Sequence, residues 1–387
     1  MALPPGAPRV LMIGAGQLAR MSVAPAQALG IGLRILAASD DESAAQVARD
    51  VRIGSHDDMA AVVAAAEGVA VVTFDHEHVP PAILRELRAH GVAVRPDPAA
   101  LAHAQDKVTL RRALAAIDVP QPDWIVASAA SDVSTFGDSH RWPVVMKLSR
   151  GGYDGRGVWV MDDIEAVTAL MATVALVPGA EWLVEEFVPF ERELAAQVAR
   201  SPHGQAVAYP IVQTTQVNGI CVEVIAPAPD LSPADAAAAQ QLALRIAGEF
   251  GVTGMLAVEL FQATDGRVLV NELAMRPHNS GHWTIDGAVT SQFENHLRAV
   301  LDLPLGSPHA TSRYAVMVNV LGGDHPDLYA AFKHVMARDP GLHVHLYGKV
   351  VRPGRKVGHV TVVGNDLEDL LERARHAAGY LTGTITE

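Results

Sequence analysis

The sequence predicts a mixed α/β protein, α+β overall, arranged as three lobes, and three observations carry that reading. The chain has 387 residues, room for two or three domains at ~100–200 residues each. Its first hundred residues alternate short apolar runs with alanine-rich amphipathic stretches, the pattern of a parallel sheet fed by crossover helices. From Trp142 onward strand-like segments dominate, interrupted by one long alanine-rich helix.

Each element follows from its local pattern. Residues 9–13 read as a strand, 17–29 as a helix, 33–38 as a second strand, 69–74 as a third and 81–90 as a helix, with 92–94 closing the unit. Arg95-Pro96-Asp97-Pro98 marks a loop into helical sequence. Strands are expected at 144–148, 158–161, 181–188, 193–200, 206–213 and 220–226, followed by a helix over 233–250. A hairpin spans 254–273. The last part reads as strand 314–320, helix 325–337, strand 343–346, and a final strand and helix after Gly358.

Composition removes several classes. Acidic residues outnumber basic ones 43 to 30, a formal charge of −13, which argues against a protein that coats nucleic acid. No stretch of about 18 residues is continuously apolar, so no membrane span is expected. The start MALPPGAPRVLMIG lacks the basic and long apolar regions of a signal peptide. One cysteine, Cys221, allows no internal disulfide and suits a reducing compartment. The reading is therefore a cytoplasmic protein. Only five basic residues are lysine: 107, 147, 333, 349 and 356. Where arginine serves the ordinary surface, each remaining lysine marks a place for a compact ammonium.

Five motifs carry chemistry. Gly14-Ala15-Gly16-Gln17-Leu18-Ala19 follows a strand and opens a helix. With Asp40 it can be read as a dinucleotide fingerprint, as the seat of another anion, or as a structural turn. Lys147-Leu-Ser-Arg-Gly151-Gly152-Tyr153-Asp154-Gly155-Arg156-Gly157 puts four glycines between two strands, a loop able to fold over a polyphosphate with Lys147 and Arg156 supplying charge. Asp265-Gly266 signals a two-residue hairpin turn that makes Glu259 and Glu272 direct cross-strand neighbours at ~4.5–5.5 Å. Two like charges so placed, beside Asn271, suit a divalent cation bridging phosphate oxygens; the alternative is a hydrated sheet edge. Arg276-Pro277-His278-Asn279-Ser280-Gly281-His282-Trp283 then supplies a string of donors for an oxyanion. Lys349, Arg352, Arg355 and Lys356 place four cations within eight residues, a local anion site in an acidic chain.

Together these residues resemble the ATP-grasp ligases, and within them the N5-carboxyaminoimidazole ribonucleotide synthetase family. The likeness runs over nearly the whole chain and is carried by GAGQLARM at 14–21, TFDHEHV at 73–79, GGYDGRG at 151–157, EEFV at 185–188, NEL at 271–273, RPHNSGHWT at 276–284, SQFENHLRA at 291–299 and RPGRKVGH at 352–359. It implies an ATP-grasp fold with an N-terminal Rossmann-like domain (1–104), an ATP-grasp domain (105–304, with a lid about 140–190) and a small C-terminal α/β domain (305–387).

The resemblance also implies roles. Lys107 and Lys147 would contact the phosphates of ATP, with Gly152, Tyr153, Asp154, Gly155, Arg156 and Gly157 covering them. Glu185, Glu186, Phe187 and Val188 would line the adenine pocket, Glu193 would hold the ribose, and Gln216 and Asn271 would complete the nucleotide site. Glu259 and Glu272 would carry Mg²⁺, or Mn²⁺. Aminoimidazole ribonucleotide would meet Gly16, Gln17, Glu77, Asp154, Lys349, Arg355 and Lys356. Arg276, His278 and Asn279 would bind bicarbonate, Asp154 would take the amine proton, and Tyr153 would position the groups. The implied partners are small molecules, and the implied assembly is a homodimer. The runner-up activity is another ATP-grasp ligase, such as a formate-dependent glycinamide ribonucleotide transformylase. Two positions depart from the family pattern: Met275 stands where relatives usually have proline, which predicts a less rigid loop, and 213–216 reads QTTQ where many relatives have a histidine near Gln216.

Overall fold

The computed structural model describes residues 4–152, 155–323 and 325–385, and it organises them around three sheets. The first is the expected parallel unit, with Arg9–Ile13 flanked by Gly32–Ala37 and Val71–Phe74, and with Asp50–Ile53 and Ala93–Val94 at its edges. Leu11, Ile13, Leu36 and Phe74 are buried, as strands covered on both faces require. The second is a four-stranded antiparallel sheet in the order Trp124–Ala127, Trp182–Glu186, Val144–Leu148, Val158–Met161. The third has nine strands, and every pairing in it is antiparallel. It runs from the hairpin Gly254–Ala263 and Val268–Ala274 through Phe190–Arg200 to Tyr314–Leu321 and Lys356–Gly364. Because Ile220–Ala226 pairs with Tyr314–Leu321, the sheet crosses residue 304 without a break.

Helices close the faces. Pro233–Glu249 starts on Ser232, whose hydroxyl accepts from the N–H of Asp235, and buries Ala239, Ala243, Ile246 and Ala247. Leu367–Thr382 starts on Asp366 and ends at Gly383, φ +74°, the left-handed residue that a helix end favours. One apolar cluster runs from Leu11 and Phe74 in the first sheet to Ile246, Leu256 and Met275. A single histidine ties the same two regions: His296 Nδ1 accepts from the N–H of Met255 at 3.1 Å, which leaves Nε2–H to donate to Thr73 Oγ1 at 2.8 Å.

Some expectations change. The segment 206–213 is two strands, Ala206–Ala208 and Val212–Val217, because Pro210 has no N–H for the ladder. The helix expected over 325–337 is a 3₁₀ turn, Leu328–Ala331, leading into Phe332–Arg338. Asp50–Ile53 and Met59–Ala65 were not expected; the strand is a half-exposed edge without the apolar run that marks a buried one. The hairpin turn has three residues, 264–266: the N–H of Ala263 bonds the carbonyl of Arg267, and Gly266 takes φ +87°. Pairing near the turn is therefore one residue out from that expected, and a bulge between Glu259 and Leu260 restores it, so that Glu259 does face Glu272.

Candidate active site

The glycine loop after the first strand ends in a helix, Gln17–Ala28, whose free N–H groups attract an anion. That anion is part of the chain. The carboxylate of Asp75, at the end of the neighbouring strand, accepts from the N–H groups of Gly16 and of Ala19, the latter at 3.1 Å. A Cβ at Gly14 would meet Asp75 Cβ at 2.9 Å and His76 Cδ2 at 2.8 Å, so glycine is needed for close approach of two loops. The dinucleotide reading fails here because its phosphate position is already filled. Burial raises the carboxyl of Asp75 above its ordinary value, against the pull of Gly16, Arg276, Ala19 and Lys349.

Two cavities open beside this point. The first, about 500 Å³, is lined by Gly16, Gln17, Asp75, Glu77, Lys107, Gly152, Arg276, Lys349 and neighbouring residues. The second, about 530 Å³, is lined by Lys147, Gly155, the strand end Glu185–Val188, Glu193, Gln216 and Asn271. Glu259, Glu272, His278, Asn279 and Lys356 line both, so the two cavities share a wall. Four of the five lysines therefore lie at these cavities, whereas Lys333 is exposed on the helix Phe332–Arg338.

A buried network organises the second cavity. Glu185 receives Arg111 Nε at 2.6 Å and Lys147 Nζ at 2.8 Å. Arg111 also holds the carbonyls of Val270 and Asn271, at 3.1 and 2.9 Å, and Lys147 donates to Asn271 Oδ1 at 3.0 Å. Burial alone would raise the carboxyl of Glu185, but Arg111 and Lys147 bring it down to about 2. Its carboxylate thus orients two cations. Burial and the nearby charge of Glu259 push the carboxyl of Glu193 up to about 7.

The shared wall carries the two cross-strand carboxylates. Glu272 pairs with Lys107 Nζ at 2.7 Å and Glu259 with His278 Nε2 at 3.1 Å. Lys107 opens a helix capped by Asp106, which accepts from the N–H of Thr109 and from Arg150 Nε. Burial opposes the charge of Glu272, yet Lys107 and then Lys147 keep its carboxyl below the usual range. Two hard oxygen donors facing both cavities fit a magnesium-type ion that takes its remaining ligands from phosphates and water. Among the described residues, no group of three or more His, Cys, Asp or Glu side chains forms a self-sufficient metal site.

The donor loop is held from behind. Gln292 accepts from the N–H of His278 and donates to its carbonyl, at 2.9 and 2.6 Å; the hydroxyl of Ser280 lies 2.8 Å from His278 Nδ1 and receives Gln197 Nε2 at 2.8 Å. Arg276 Nε donates to Glu77 at 2.9 Å, and the other oxygen of Glu77 is buried without a partner among the described residues. The amide of Asn279 is buried beside the Cys221 thiol. Met275 is fully buried in the core, so packing anchors the side chain of the residue before Arg276.

Not every sequence candidate meets the cavities. Arg355 is exposed and donates to the carbonyl of Val350, and neither it nor exposed Arg156 nor Gly157 lines either cavity. Tyr153 and Asp154 lie outside the described residues. Sequence reasoning missed Asp75, Arg111, Gln197, Gln292 and a stack of rings, buried His282 on buried His359 and His359 on partly exposed His345, each pair 4.7 Å apart. Asp75, His282, Gln292 and His359 sit inside motifs already singled out, which was the available signal; Arg111 and Gln197 left none.

Known proteins resemble the chain along nearly its whole length. Three family models match consecutive parts of the chain: a ribonucleotide synthetase preATP-grasp domain at residues 8–105, an ATP-grasp domain at 112–293, and a phosphoribosylaminoimidazole carboxylase C-terminal domain at 315–373. The N5-carboxyaminoimidazole ribonucleotide synthase of Corynebacterium ammoniagenes is 44% identical over 97% of this chain and 92% of its own length. The crystal structure of the Aspergillus clavatus enzyme in complex with ADP and 5-aminoimidazole ribonucleotide superposes with a TM-score of 0.88 at 30% identity, over 98% of this chain and 99% of that one. The Mycobacterium tuberculosis N5-carboxyaminoimidazole ribonucleotide synthase is 54% identical over 97% of this chain and 88% of its own. Matched by these models in sequence and by these relatives over 97% of its length, the chain belongs to the N5-carboxyaminoimidazole ribonucleotide synthase family.

Proposed function

We propose that this chain catalyses the ATP-dependent carboxylation of 5-aminoimidazole ribonucleotide with bicarbonate, giving N5-carboxyaminoimidazole ribonucleotide, ADP and phosphate in purine biosynthesis. The observation that carries the reading is the wall common to the two cavities. ATP occupies the second cavity, its phosphates towards Lys147 and Lys107. The ribonucleotide occupies the first, against Gln17, Glu77, Lys349 and Lys356, so that both substrates reach Glu259, Glu272, His278 and Asn279. Bicarbonate attacks the γ-phosphorus and displaces ADP, forming carboxyphosphate. This anhydride breaks to phosphate and CO₂, and the exocyclic amine adds to CO₂ and loses its proton to Asp154, with Tyr153 positioning the groups.

The chain's own residues divide the work. Arg276 offers a guanidinium that Glu77 already orients, His278 is held by Gln292 and Ser280, and Asn279 presents a buried amide; together they bind bicarbonate and then the carboxyphosphate. Glu259 and Glu272 hold Mg²⁺ or Mn²⁺, which when bound neutralises charge on the phosphate oxygens. Keeping the anhydride inside the joined cavities limits its hydrolysis. We read the assembly as a cytoplasmic homodimer, as the family resemblance suggests, and sedimentation measures it. A coupled ADP-release assay with each substrate omitted in turn tests the activity. ADP should appear only with ATP, bicarbonate and aminoimidazole ribonucleotide together; release supported by glycinamide ribonucleotide and formate instead would assign the other ligase activity.

A further inference from the structure

We propose that Asp75 is a positioning residue for this reaction: its buried carboxylate takes the place of a phosphate at the N-terminus of the helix Gln17–Ala28 and sets Gly16 and Gln17 against the ribonucleotide. The proposal rests on the function given above. Three observations carry it. The two oxygens of Asp75 are used on separate N–H groups, those of Gly16 and Ala19, so the carboxylate fixes the first turn from two sides, and charge-assisted bonds of this kind are the strong ones. The loops meet so closely that a Cβ at Gly16 would collide with a carboxylate oxygen of Asp75, which leaves no room for a ligand's phosphate there. What Asp75 holds in place leads directly to the cationic side of the first cavity. Gln17 Oε1 accepts from Lys349 Nζ at 2.6 Å, and Glu77, two residues beyond Asp75, holds Arg276.

A helix end on a glycine loop normally draws the ligand's own phosphate. With that place filled from within, the ribonucleotide phosphate is directed to Lys349 and Lys356 across the cavity, and the helix end is free to present Gln17 as a fixed neighbour of Lys349. The carboxylate therefore acts through Gly16 and Gln17.

Asp75→Ala empties the position while sparing the nucleotide cavity. Losing this charge-assisted anchor should raise KM for aminoimidazole ribonucleotide about tenfold or more, with KM for ATP within about twofold of wild type. Formate, a free carboxylate small enough for the vacated place, should recover much of that loss at saturating bicarbonate, measured against wild type at the same formate concentration. Formate should also raise the melting temperature of Asp75→Ala and leave that of wild type unchanged. Equal rises in both KM values, or no response to formate in either rate or melting, would overturn the proposal. If Asp75→Ala fails to fold, the isosteric Asp75→Asn carries the same comparison: a raised KM for the ribonucleotide alone supports it, and unchanged constants reject it. A wild-type protein without turnover on the three substrates would reject the function instead, and the melting response to formate still decides the role of Asp75.

Discussion

Lysine is the scarce cation of this chain, and Lys147 shows what the scarcity means. Its ammonium is nearly inaccessible and reaches the second cavity only because Glu185 and Asn271 fix it there. Removing the charge of Glu185 takes away the carboxylate that both buried Arg111 and buried Lys147 touch. Glu185→Gln should therefore cost ~3–5 kcal/mol, read as a lower urea midpoint. The sign with pH follows from a carboxyl held at about 2 against an ordinary 4.5. The stabilisation is complete above the unfolded value and is lost as pH falls from about 4.5 towards 2. The variant should lack that acid-sensitive component; an identical pH profile in both proteins would show that the ion pairs contribute no net stability. Glu272 differs, being open to the cavities. Glu272→Gln should abolish ADP release while leaving the circular dichroism spectrum unchanged, and wild-type turnover would remove it from the metal pair. The glutamates, glycines and lysines of this site were legible because turn chemistry and composition mark them. Arg111 was not: beside Arg112 in the same helix it resembles a solvated arginine until Glu185 is seen against it.

At the level of the element, the hairpin is instructive because its correct register arises from two deviations that cancel. A three-residue turn displaces the pairing by one, and the bulge that includes Asn271 restores it before Glu272. The turn depends on Gly266 at φ +87°, with nothing within 4 Å of its Cβ position. Gly266→Ala should cost about 1 kcal/mol through backbone strain alone, with Gly266→Asn better tolerated and ADP release unchanged in both. Urea titration checks the stabilities; an alanine as stable as glycine would show that the turn relaxes. The bulge left no sequence signal, since one extra residue in a strand barely disturbs a period of two. It is held by distant groups, Arg111 on the carbonyl of Asn271 and Lys147 on its side chain.

For the whole molecule, neutral histidines join the lobes. His296 links the first sheet to the third, and His282 and His359 stack between the donor loop and the C-terminal strands, with the hydroxyl of Tyr347 2.7 Å from His359 Nδ1. Burial lowers all three, His296 to about 3 and the other two well below 6.5. The unfolded chain takes up these protons below about pH 6.5 and the folded one does not, so stability present above that pH should decline on acidification by up to about 1.4 kcal/mol per pH unit for each histidine. Denaturant unfolding between pH 7.5 and 5 measures it; a flat profile would mean that the rings already carry protons. The sequence by itself determined the parallel unit, the glycine loop, the facing glutamates and the cavity lysines, because these follow from turn chemistry and from hydrophobic periods of two or nearly four residues. Only the tertiary structure decided that Asp75 fills the helix end, that one sheet runs through residue 304 into the last lobe, and that the two cavities share a wall. Those depend on residues far apart in the chain, such as Gly16 with Asp75 or Gln17 with Lys349, whose meeting is set by burial and shape.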